Sequence, residues 1–169
     1  MTARYAVLAS RIRQDVAELE RVGERVERAA QAYRQNTAER ELFLDAAALN
    51  LHDYYTGLER IFTHIASGVE QSVPTGPDWH RELLRQMTVE VPGLRPPVIP
   101  TKVASDVDEF LRFRHVVRHI YAFALEPERV ERLASRLRPA HHAVASALLA
   151  FASFLEGLAS DAESAHAER

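Results

Sequence analysis

The chain has 169 residues, 47% hydrophobic and 27% charged, with a net charge of −3, which fits one folded domain and is too apolar for a disordered chain. No cysteine and only six glycines are present, which excludes disulfides, thiolate chemistry and Cys-ligated zinc and leaves little material for the repeated turns of a β-sandwich. No apolar run approaches the roughly 20 residues that span a bilayer, and the N-terminal MTARYAVLASRIRQ is too charged for a signal peptide, so a cytoplasmic protein is expected.

The first predicted element is a helix over residues 3–34. Tyr5, Leu8, Ile12, Val16, Leu19, Val22, Val26 and Tyr33 recur at spacings of three and four, with a small position near Ala29. Asn36 followed by Glu39 reads as a capping box for a second helix over 37–70, with Leu42, Ala46, Leu49, Tyr55, Leu58, Phe62, Ile65 and Val69 as its stripe. Pro74, Gly76 and Pro77 stop it, and Asp78 caps a short third helix over 78–88 in which Trp79-His80 docks the helix on the bundle. Residues 90–104 hold Pro92, Pro96, Pro97 and Pro100 and read as a long, stiff connection. Ser105 with Asp108 opens a fourth helix over 105–124. Pro127, at a first helical position, opens a fifth over 127–137, and Pro139 restarts the chain into an apolar sixth over 139–160. The pattern predicts an all-α, antiparallel helical bundle with short accessory helices. Residues 1–163 form one domain, and 164–169 form a frayed tail.

Charge is unevenly placed along this chain. Between Arg112 and Arg138 stand seven arginines against Glu126, Glu128 and Glu131, a local balance of +4. An acidic protein can bind a phosphodiester through such a patch. The densest part is Arg112-Phe113-Arg114-His115-Val116-Val117-Arg118-His119-Ile120-Tyr121. On a helix Arg114, Arg118 and Tyr121 share a face, whereas His119 stands roughly 140° round from Arg114. Arg114 and His119 of one straight helix therefore cannot meet one phosphate. A two-fold pair of such helices can bring both residue types into one cleft, so a homodimer is expected.

Arg114-x4-His119-x-Tyr121 resembles the R-x4-H-x-Y signature of the HepT-like ribonuclease toxins, a branch of the HEPN superfamily of helical-bundle RNases. His115 supplies the polar residue that the wider HEPN pattern prefers after the arginine. LHDYYTGLERIF, DWHRELL, the proline-rich connection and the basic helix extend the resemblance over residues 3 to about 137. A match to the signature is expected by chance roughly 0.03 times in a chain of this composition.

The resemblance implies a HEPN-type bundle and a metal-independent endoribonuclease, toxic to its own cell, with Arg114 and His119 catalytic. Arg112, Arg118 and His115 would bind RNA. It further implies a minimal nucleotidyltransferase antitoxin (MNT type) as partner, which adenylylates Tyr121, and no cofactor. The alternative is a non-catalytic HEPN-type interaction module that binds a nucleotide or a partner protein. Read as structure alone, the same arginines and histidines are the solvated face of an amphipathic helix.

Other constellations are weaker. His115 and His119 stand four apart, but no acidic residue lies suitably between them and three arginines crowd the site, so no metal is expected. Arg136-x4-His141 repeats the arginine-to-histidine spacing without the tyrosine and straddles Pro139. Asp53 is a helix-surface carboxylate that could orient a site histidine or arginine.

Overall fold

A computed structural model describes residues 2–36, 38–119 and 125–167, and it bears out the all-α expectation: five α-helices, with no strand among the described residues. They are α1 (Thr2–Gln35), α2 (Arg40–Ile65), α3 (Trp79–Gln86), α4 (Thr101–His119) and α5 (Pro127–Ala167). The stripe read along α1 is buried from Leu8 to Tyr33 except for the half-buried Val22, and it packs along both α2 and α5. Helix α4 lies against α2 and α5, and α3 bridges α2 and α4.

The stripe of α2 differs from the expected one in its first half. Leu42 and Leu49 are 65% and 59% exposed, while Leu44, Ala48, Leu51, Tyr55, Leu58, Phe62 and Ile65 form the continuous buried row. That row keeps the alternating four-and-three spacing of one helical face. Leu42 and Leu49 sit off it, with only Ala46 between them to suggest a stripe. A π-helical turn, Ala66–Glu70, closes this helix, and Gln71 at φ 54° ends it in the left-handed region. Gly57 and Gly68 let this length approach α1, since a Cβ at either would stand 2.8 Å from a Leu19 or Leu8 methyl carbon.

Helix starts follow packing more than side-chain caps. Asn36 does not form a reciprocal box with Glu39; its Oδ1 accepts from the N–H groups of Ala38 and Glu39 at 3.0 and 3.2 Å, and α2 starts only at Arg40. At α3 the carbonyl of Asp78, not its side chain, accepts from Arg81 and Glu82. Helix α4 begins at Thr101 rather than Ser105, because the Pro100 carbonyl accepts from Ala104 and both Val103 and Ala104 are buried. Pro127 does open α5.

The fifth and sixth expected helices are one. Pro139 removes an N–H and crowds the carbonyl four residues earlier, at roughly 3 kcal/mol. The helix nevertheless continues, because Val130, Leu133 and Leu137 before it and Ala140, Val144, Leu148 and Leu155 after it are all buried. It also runs to Ala167, past the point where a frayed tail was expected. By length and composition α5 is apolar enough to cross a membrane, which the residue pattern had not suggested; the core helix of a bundle meets the same criterion.

The stiff connection proves to be built around a charge. Arg95 is 3% exposed, and its five N–H groups all meet oxygens. Nε donates to Glu70 at 2.8 Å, Nη1 to the carbonyls of Val89 and Pro96, and Nη2 to that of Gln86 while lying 2.7 Å from Glu70. Gln86 donates to the other oxygen of Glu70.

Two histidines tie the fold to pH. His141 on α5 donates from Nε2 to Glu20 at 2.6 Å and accepts at Nδ1 from the Tyr54 hydroxyl at 3.1 Å. Burial holds its imidazole below the ordinary range, with Glu20 opposing. His64 on α2 is lowered too, by burial first and then by Arg11 and Arg60, against Asp15. A histidine lowered in the folded state binds fewer protons there than when unfolded, so its stabilisation is complete above about 6.5 and is lost as pH falls through the folded-state value. The melting temperature should therefore drop as the pH falls below about 6.5, and His141→Gln should flatten that slope; an unchanged slope would contradict the assignment.

Candidate active site

Three helices converge on Arg114. Its position on α4 falls on the buried side, in line with Val107 and Leu111, so the guanidinium enters the bundle instead of solvent and is 8% exposed. Glu59 from α2 meets it, with Oε1 3.4 Å from Nη2. His80 from α3 lies 3.2 Å away, its Nε2 facing Nη1. The same imidazole holds Oε2 of Glu59 through Nδ1 at 2.5 Å. Tyr55, one turn before Glu59, sits beside the pair; burial, and next the charge of Glu59, push its hydroxyl well above the usual phenol range.

Aromatic rings close the cluster. Trp79 stacks on His80 with ring centres 3.7 Å apart, and His115 meets His80 edge-on at 5.5 Å. Docking of α3 through Trp79-His80 was legible in the sequence; the contact His80 makes with Arg114 was not.

The remaining residues singled out by sequence divide as follows. Arg112 is exposed and paired with Asp108, one turn back, at 2.7 Å. It also lines a groove of about 390 Å³ with Glu109, Glu126, Arg129, Arg132 and Leu133, where the Arg129 guanidinium lies 5.7 Å from the ring centre of Phe113. His115 is exposed on its side of α4. The side chains of Arg118 and His119, and all of Tyr121, lie outside the described residues. The backbone stays α-helical through His119, so position 119 stands roughly 140° round from position 114, as the spacing requires.

Arg136 and His141 do not come together: Arg136 pairs at the surface with Glu109 and Asp106, while His141 is buried against Tyr54. Asp53 is exposed beside His52, and among the described residues it makes no contact with Arg114 or His80. The carboxylate that meets Arg114 is Glu59, whose signal was present in the sequence: it lies between Leu58 and Phe62 on the apolar row of α2, where a carboxylate needs a partner.

A family model described as HepT-like protein matches residues 46–155. The chain belongs to that family. The match starts inside α2 and ends inside α5, so it leaves out α1, which the resemblance had included, and reaches 18 residues beyond the resemblance's end near 137. No curated protein and no solved structure matches the chain. Within the matched span the HepT-like protein carries the whole of Glu59, His80, Arg114, His119 and Tyr121.

Proposed function

We propose that this HepT-like protein is a metal-independent endoribonuclease, a toxin of its own cytoplasm held in check by a nucleotidyltransferase antitoxin. The observation that carries the reading is the R-x4-H-x-Y motif, inside the family match, with its arginine anchored where α2, α3 and α4 converge. The ribose 2′-hydroxyl attacks the adjacent phosphorus as the bond to the 5′-oxygen breaks, leaving a cyclic phosphate and a 5′-hydroxyl. His119 takes the 2′-hydroxyl proton, a role for which imidazole is suited near neutral pH without a metal. Arg114 faces the phosphate as it gains charge. Arg112, Arg118 and His115 hold the flanking backbone, and the groove bearing Arg129 and Arg132 continues the same path. A homodimer supplies the arginine and histidine that one helix holds apart, and its second His119 returns a proton to the leaving oxygen.

Purified protein in EDTA should cut single-stranded RNA and leave the matched DNA intact, because DNA lacks the 2′-hydroxyl. Dependence on a metal would overturn the scheme. The burial of Arg114 against Glu59 favours a second reading, a non-catalytic interaction module, and the same assay separates the two.

Adenylylation of Tyr121 would add a phosphodiester charge and an adenine to the basic face and so block RNA entry. Co-expression with the antitoxin should add one or more AMP units of mass to the wild type and none to Tyr121→Phe, which keeps its RNase activity and escapes neutralisation. An equal mass gain in the Phe variant would move the modification elsewhere.

A further inference from the structure

Two buried arginines in this fold are treated differently. Arg95 has every N–H on an oxygen. Arg114 has Nη1 on His80 and Nη2 near Glu59, but its buried Nε–H has no hydrogen-bond partner among the described residues. A buried donor left open in a native fold calls for an explanation. The tautomer of His80 follows from the same contacts. A guanidinium only donates, so Nε2 of His80 accepts, and Nδ1 carries the proton that goes to Glu59. His80 thus links the two side chains, and Glu59 is the only anion holding Arg114 among the described residues. The charged groups facing this imidazole are Glu59 from α2 and Arg114 from α4, with His115 at its edge and Trp79 across its face.

We propose that Glu59 and His80 are positioning residues for RNA cleavage: they fix the plane of the Arg114 guanidinium, whose Nε–H stays buried, and so set where its remaining Nη donors stand toward the scissile phosphate. This rests on the reading of Arg114 as a phosphate-binding group. Misplacement of such a group by about 1 Å is enough to lower a rate by about 100-fold. The cradle should act on turnover more than on RNA binding, since the exposed arginines carry the latter.

The test is single-stranded RNA cleavage by the full chain, with melting temperatures measured in parallel. Glu59→Gln and His80→Leu should each lower kcat about 10- to 100-fold with KM within about two-fold. His80→Gln, whose amide can both accept from Nη1 and donate to Glu59, should recover most of the loss. Millimolar guanidinium should partly rescue Arg114→Ala, and the rescue should vanish when Glu59→Gln is added. Full kcat in Glu59→Gln and His80→Leu beside an inactive Arg114→Ala would overturn the positioning role and leave Arg114 in place. If Glu59→Gln fails to fold, equal rates for His80→Gln and His80→Leu overturn it instead. Arg114→Ala as active as wild type, or an inactive wild type, removes the underlying reading and the proposal with it.

Discussion

Arg114→Ala and His119→Ala proteins should each cut RNA at least about 100-fold more slowly than wild type. Loss of a positioned general acid or base removes roughly 10²- to 10⁴-fold, and loss of a donor aimed at developing charge roughly 10²- to 10³-fold. The two variants should differ in stability. Arg114→Ala leaves the buried carboxylate of Glu59 without its guanidinium partner, so it should also unfold at lower urea. Arg114→Lys keeps the charge but loses the fork, and should restore stability better than rate. Measuring kcat/KM beside urea midpoints separates these effects. Rates within about three-fold of wild type for either alanine variant would remove that residue from the chemistry.

Arg95→Met should be the most damaging single change to the fold. It strands the Glu70 carboxylate, along with carbonyls of Val89, Pro96 and Gln86 that share one guanidinium. Removing one partner of a buried ion pair costs about 3–5 kcal/mol, which in a chain of this size lowers the melting temperature by roughly 10 °C or more. The double variant Arg95→Met with Glu70→Leu should recover part of the loss, because the stranded charge is gone. A single variant within about 1 kcal/mol of wild type would show that the pair is not what holds residues 86–99. The segment matters for the site. Its first residues end α3, which carries His80, and the N–H groups of Val98 and Ile99 return to the Met87 carbonyl just before α4 begins.

Periodicity alone determined the helical class, most of the buried stripe of α1 and the basic character of α4, since each depends on residues within a few turns of one another. The R-x4-H-x-Y spacing likewise carried the family, because a motif confined to one helix is local. Pro139 marks where local rules end: a proline stops an isolated helix, but buried side chains on both sides outweigh its lost N–H, and only the packed bundle reveals that. The setting of Arg114 was decided there as well. Sequence places the arginine on a helix face, whereas its partners Glu59 and His80 lie 55 and 34 residues away on two other helices. No spacing rule links residues so distant. They meet because α3 bridges α2 and α4 and a buried guanidinium must find an anion.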